Sequence, residues 1–296
     1  MFHFKKVQLI PTTLAILLLL SGCTTHARST DSSNPSTSTT QSSSTSTPSS
    51  SSSVMEQDAS MDESNAENNT SEVPSVEPVV YDFSSPVPES DPVDTSYFED
   101  AAFIGDSRTD GFMIYSGIGC GDNLTANGLS IFQIMKEAFF KIDGQSYTLA
   151  QALERKQYGK IYLSLGVNEL GYYDDKGFYK AYCETIDLIR EVQPHAVIYI
   201  QGLIPLNEDV IASTGGASYL KNDKLCTYND LMKQVAEEKQ VAYLDLYSEF
   251  VQDDGQLPAD ASTDGVHLRK AYCEQWLTYL ENHTISYEAL YGSEEV

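Results

Sequence analysis

Residues 101–110, AAFIGDSRTD, decide how the rest of the chain is read. A short apolar run, AAFI, stops at Gly105-Asp106-Ser107 and gives way to a stretch compatible with a helix. This pattern describes a buried strand that ends in a tight turn and opens a helix. Ser107 then sits at the helix amino terminus, where free backbone N–H groups stabilise developing negative charge. Such a position suits a nucleophile. The same residues also make an ordinary turn and helix cap. What favours chemistry is a second, distant piece, Asp264-Gly265-Val266-His267, which places a carboxylate and an imidazole three positions apart.

Around this stretch, from residue 97 onward, apolar runs alternate with amphipathic ones. Strands are expected at 101–104, 123–126, 160–165, 196–201 and 241–246. Helices are expected at 108–115, 131–140, 149–156, 176–192, 225–239 and 268–282. Strands separated by helices argue for a parallel sheet covered on both faces. One domain of roughly 200 residues holds them. In such folds sites gather beyond the carboxyl ends of the strands. Ser107 follows the first strand, Asn168 the third, and His267 lies between the last strand and the last helix.

Before residue 97 the composition changes. Lys5 and Lys6 precede an apolar core over about 7–20, too short for an ordinary membrane span and flanked as an export signal is. Leu20-Ser21-Gly22-Cys23 follows and resembles the lipobox of bacterial lipoproteins. That resemblance implies cleavage before Cys23 and lipid on its thiol, so that the chain is anchored to a membrane surface. A cleaved secretory signal with an incidental cysteine is the alternative. Residues 24–53 are dominated by Ser and Thr, and 54–94 are acidic with scattered Pro; no Lys or Arg occurs between Arg28 and Arg108. Low hydrophobicity and one-sided charge do not offset the entropy of ordering a backbone. The expected organisation is a signal at 1–22, a disordered tether at 23–95 and a folded domain at 96–296. The chain has 18 basic and 43 acidic residues, a formal charge of −25. This balance argues against nucleic acid as a partner.

Gly105-Asp106-Ser107, Gly166-Val167-Asn168 and Asp264-Gly265-Val266-His267 together resemble the first, third and fifth sequence blocks of the SGNH (GDSL-type) esterase and lipase family. The likeness covers about residues 103–276. It implies a flavodoxin-like three-layer α/β/α sandwich with a five-stranded parallel sheet, and serine-dependent hydrolysis or transfer of ester-linked acyl groups. Carried over by position, Ser107 is the nucleophile, His267 the general base and Asp264 the residue that orients it. The Ser107 N–H, the Asn168 amide and a second-block glycine, for which Gly128 is the nearest match, would form the oxyanion hole. Two departures stand out: Glu169 replaces the family's usual Asp after the third-block Asn, which bears on loop geometry, and Arg108 follows the serine at the expected pocket entrance.

The chemistry also follows from the residue types. A serine hydroxyl needs a positioned base, a neutral imidazole can take and return its proton, and a carboxylate fixes the imidazole tautomer. No HExxH, paired CxxC or Gly-rich phosphate loop occurs, so no metal or cofactor is expected. Cys120, Cys183, Cys226 and Cys273 can pair or remain buried thiols. Tyr172 and Tyr173, just past Asn168, are candidates for a sugar-stacking rim or for half-buried surface. The expected function is extracytoplasmic hydrolysis of small O-acyl esters, O-acetyl above all, on glycans. The alternatives are O-acyl transfer to an envelope glycan, or an inactive binding lipoprotein.

Overall fold

The computed structural model describes residues 81–292. The expected export signal, Cys23 and most of the expected tether lie outside the described residues. The first strand, β1 (Ala101–Gly105), is buried along its whole length and leads directly into α1 (Ser107–Tyr115). β2 (Asp122–Thr125) follows, then a hairpin of β3 (Phe140–Ile142) and β4 (Gln145–Tyr147), then α2 (Leu149–Leu153). The remainder alternates as β5 (Lys160–Ser164), α3 (Asp175–Val192), β6 (Val197–Gln201), α4 (Glu208–Ser213), α5 (Asn222–Lys239) and β7 (Ala242–Leu244). It closes with α6 (Leu246–Phe250), α7 (Lys270–Glu281) and α8 (Tyr287–Tyr291).

Five strands form one parallel sheet in the order β2-β1-β5-β6-β7. Counting sheet strands along the chain, this is the 2-1-3-4-5 order of flavodoxin-like folds. Alternate side chains leave a strand on opposite faces, and both faces here are apolar. Ala102, Ile104, Ile161, Leu163, Ile198 and Ile200 face a core completed by α2, α3 and α5. Phe103, Tyr162, Tyr199 and Leu244 face the other, which α1 and α7 complete with Phe112 and Trp276. In-register pairing puts Phe103, Tyr162 and Tyr199 side by side on adjacent strands, their rings stacked at 4.8 and 4.6 Å between centroids.

Two expectations are corrected. The apolar spacing over 131–140 is not a helix. Residues 131–136 form turns, with the Gln133 and Ile134 N–H groups both directed to the Ser130 carbonyl, and Phe140 begins β3. Ile131 and Ile134 are buried as the periodicity required, but they are presented by a turn. The hairpin that follows turns on Asp143 and Gly144, both at positive φ (51° and 78°), the Asp-Gly pair that a two-residue hairpin loop favours.

The tether boundary also moves. Residues 81–94 are docked on the domain: Val87 N–H donates to the Tyr243 carbonyl at 2.8 Å, Ser90 N–H to Asn282 at 2.6 Å and Val93 N–H to Glu281 at 3.0 Å. Val87 is buried, and Phe83 stacks on Tyr291. Cys120, Cys183, Cys226 and Cys273 are free thiols.

Candidate active site

The order of strands reverses between β1 and β5, since β2 lies on one side of β1 and all later sheet strands on the other. Such a reversal opens a crevice at the carboxyl ends of the strands. Ser107 leaves β1 on one side of it and Asn168 follows β5 on the other. Asp106 caps α1, its carboxylate accepting the Arg108 N–H at 2.9 Å. Ser107 is therefore the first residue of the helix, where its N–H has no intrahelical acceptor.

His267 reaches the site from the loop before α7. Its Nε2 lies 2.8 Å from Ser107 Oγ, and its Nδ1 lies 2.7 Å from Asp264 Oδ2. The loop is held by its own backbone. Asp264 Oδ1 accepts the N–H groups of Val266 and His267, both at 2.9 Å. Ser262, buried, donates to the His267 carbonyl at 2.7 Å and accepts the Gly265 N–H at 2.9 Å. Gly265 has φ 81°, and a Cβ there would meet the Asn207 carbonyl oxygen at 2.4 Å, so the bend tolerates only glycine. Burial pushes the Asp264 carboxyl up. The hydrogen bonds from the His267 ring and from the His267 and Val266 N–H groups outweigh it and hold the group well below the usual carboxylate range.

The two other expected donors stand on adjoining loops. Gly128 is the third residue of a turn closed by the Leu129 N–H on the Ala126 carbonyl at 3.0 Å. Its φ of 72° is the conformation that glycine supplies at this place in a type II turn. Asn168 lies in a short 3₁₀ turn, Val167–Glu169, after β5. Its Nδ2 donates to the Leu129 carbonyl at 3.0 Å and to Asp106 Oδ2 at 3.3 Å. Asn168 thus bridges the turn that carries Gly128 and the turn that carries Ser107.

Arg108 is not at the pocket entrance, where the sequence placed it. It is 6% exposed, lies beneath the site and donates Nη1 to the Ile204 carbonyl at 2.9 Å. Burial lowers its pKa to about 10, against the opposing charges of Asp106 and Asp264. One contributor was not found from sequence, and another was noted there only as a departure bearing on loop geometry. Ser262 braces the Asp264 loop; the signal was a Ser two places before Asp264, the spacing of a side-chain turn. Glu169, fully buried, accepts the Ile131 N–H on Oε1 at 2.7 Å. Tyr172 and Tyr173 project on the Asn168 side, 55% and 94% exposed.

The chain belongs to the GDSL-like lipase/acylhydrolase family, whose model matches residues 103–271. It is an ester hydrolase of that type. Among solved structures, it is similar to a protein of Streptococcus pneumonia named for platelet activating factor, at 22% identity and a TM-score of 0.50 over 61% of this chain and 81% of that one. A GDSL-like lipase of Bacteroides thetaiotaomicron matches at 13% identity and a TM-score of 0.45, over 63% of this chain and 87% of that one. A peptidoglycan O-acetylesterase matches at 18% identity and a TM-score of 0.42, over 55% and 45%. The first of these likenesses concerns the fold. No curated protein matches the chain.

Proposed function

We propose that Ser107, His267 and Asp264 act as a catalytic triad that removes small O-acyl groups, O-acetyl above all, from glycans. In the same reading the enzyme works outside a bacterial membrane to which lipid on Cys23 anchors it. The observation that carries the chemistry is the continuous relay from Ser107 Oγ to His267 Nε2 at 2.8 Å and from His267 Nδ1 to Asp264 Oδ2 at 2.7 Å.

The Asp264 carboxylate holds the proton of the ring on Nδ1, which leaves Nε2 as the acceptor facing the hydroxyl. Oγ attacks the acyl carbon as its proton passes to Nε2. The charge that develops on the acyl oxygen is met by the Ser107 and Gly128 N–H groups and the Asn168 amide. The 3.3 Å bond from Asn168 to Asp106 is the weaker of its two and the one an oxyanion would replace. As the bond from the acyl carbon to the sugar oxygen breaks, His267 passes its proton to that oxygen and the sugar leaves as an alcohol; water, activated by the same relay, then releases the acyl group from Ser107.

The substrate reading draws on a groove of about 370 Å³ that is lined by none of the triad residues themselves but by Asp110, one turn along α1 from Ser107, and by Asn123, Thr125, Ala126, Asn127, Phe139 and Lys141. Hydroxyl, amide and charged groups around one aromatic ring suit a polar alcohol such as a sugar better than a long acyl chain. The anchor and location rest on the sequence of residues 5–23 alone.

The test is acetate release from an O-acetylated polysaccharide by the wild type and by Ser107→Ala, with the same reaction repeated in the presence of a free sugar acceptor. Release by wild type alone supports the reading, and acetyl transfer to the added sugar would favour the transferase alternative. A folded wild type that spares glycan acetate and cleaves long-chain esters would overturn the substrate. For location, Cys23→Ala is expected to move the protein from the membrane to the soluble fraction.

A further inference from the structure

We propose that Glu169 is a positioning residue for the oxyanion hole, its carboxyl fastening the backbone just after the Gly128 turn, at Ile131, to the turn that carries Asn168. The inference rests on the ester-hydrolysis reading of the Ser107 site. Both oxyanion turns are short loop segments with no strand or helix of their own beyond the single 3₁₀ turn Val167–Glu169. Their relative placement therefore depends on what ties them together, and an error of about 1 Å there is enough to cost catalysis heavily.

From the Asn168 turn, ties reach the Gly128 turn and the backbone that follows it. Asn168 Nδ2 reaches the Leu129 carbonyl at 3.0 Å, but this is the side chain that has to serve the oxyanion. Glu169 makes another, with Oε1 on the Ile131 N–H at 2.7 Å, and it takes no part in the reaction. Its own peptide is fixed from behind: Tyr228 of α5 donates its hydroxyl to the Glu169 carbonyl at 3.0 Å. Tyr228 is in turn stacked on Phe178 of α3 at 3.8 Å between centroids. The chain of support thus runs from the helical layer through Tyr228 to Glu169, and from Glu169 to the turn before Phe132. Phe132 itself packs on Tyr172 at 5.5 Å, so the tie continues to the surface.

A buried carboxyl is a costly way to hold a loop unless the hold has a use. Glu169 is 0% exposed. The Ser130 hydroxyl bonds the carboxyl, and the negative charge of Asp106 acts on it. Burial raises its pKa to about 7, which the Ser130 hydroxyl and the Ile131 N–H partly offset. A neutral side chain of the same shape could thus make the same bond.

Glu169→Gln, Glu169→Asp and Glu169→Ala separate this role from a general one in folding. Gln keeps an oxygen within reach of the Ile131 N–H, Asp keeps the charge but retracts the oxygen by one methylene, and Ala removes it. With p-nitrophenyl acetate, Ala and Asp are expected to lower kcat by about 10²-fold, the scale of a lost oxyanion donor, with KM changed less than about threefold. Gln is expected to stay within about threefold of wild type in both. Backbone hydrogen exchange over residues 129–134 should rise in Ala and Asp and not in Gln. If Ala does not fold, the contrast between Asp and Gln carries the test. Wild-type activity in Asp, equal loss in Gln and Asp, or a loss confined to KM would overturn the proposal. Labelling of wild type by a fluorophosphonate keeps the two questions apart, because its absence would sink the esterase reading and its presence would leave the outcome to Glu169.

Discussion

Asp264 accepts hydrogen bonds from the His267 ring and from the backbone N–H groups of Val266 and His267. Replacing it by Asn would keep the shape but present an amide where the ring needs an acceptor, favouring the wrong imidazole tautomer. Asp264→Asn is expected to lower kcat for p-nitrophenyl acetate by about 10³- to 10⁴-fold, with the circular dichroism spectrum unchanged. Its depressed pKa contributes stability that is present above the ordinary carboxylate value and fades only as pH falls below it. Partial exposure keeps that contribution small. Glu169 acts in the opposite sense. Its pKa is raised to about 7, so between the ordinary value of 4.5 and about 7 the folded chain binds a proton that the unfolded chain has lost. Stability should therefore fall as pH rises through that window. Asp106, also pushed up by burial, acts in the same direction. Thermal melts of wild type from pH 5 to 8 should show the decline, and Glu169→Gln should flatten it in part; an unchanged slope would contradict the assignment. That Ser107, Asp264 and His267 meet in one place was legible in the sequence, because each sits in a short motif. The hold of Glu169 was not, since its partner is a main-chain N–H 38 residues away whose position is set by a turn.

At the scale of elements, the loop from Ala261 to Leu268 has a shape dictated by packing as much as by chemistry. A Cβ at Gly265 would strike the Asn207 carbonyl and Ile211, and the Asn207 N–H already donates to the Gly265 carbonyl at 3.0 Å. Gly265→Ala should therefore displace Asp264 and His267 together, costing about 1–3 kcal/mol of stability and most of the activity. Urea titration and esterase assay of the same sample check both. A variant with wild-type stability and rate would mean that the loop relaxes freely. The five sheet strands and the long helices were readable from periodicity, because a buried strand and a one-sided helix leave different apolar spacings. Residues 131–140 defeated that rule. Apolar side chains at Ile131 and Ile134 enter the core from a turn, where the Glu169 carboxyl rather than a helical carbonyl takes the Ile131 N–H. The Asp143-Gly144 turn beside it carries the sequence signal of a two-residue hairpin.

Over the described molecule, the domain begins earlier than composition suggests. Acidic and Pro-rich residues mark 81–94 as tether, yet Tyr81, Phe83, Val87 and Val93 pack on the face that α7 and α8 complete. Pro86, Pro88 and Pro92 restrict this stretch even when it is unfolded, which lowers the entropy lost on docking. A chain beginning at Tyr81 is expected to melt like the full-length protein. One beginning at Ser96, which loses the hydrogen bonds to Tyr243, Glu281 and Asn282, should melt several degrees lower. Equal melting temperatures would return the segment to the tether. The acidic balance of the chain set partners aside without naming one. The alternation of elements implied a parallel sheet but not its strand order, which came only with the resemblance to a flavodoxin-like fold.

The central claim is that Ser107 is a nucleophile activated by His267. Its most direct measurement is peptide mapping by mass spectrometry after incubation of the folded full-length chain with a fluorophosphonate. The account expects a single adduct on the peptide containing Ser107, absent from Ser107→Ala and strongly slowed in His267→Ala. A folded wild type that takes no adduct, or an adduct that persists in Ser107→Ala, would contradict it.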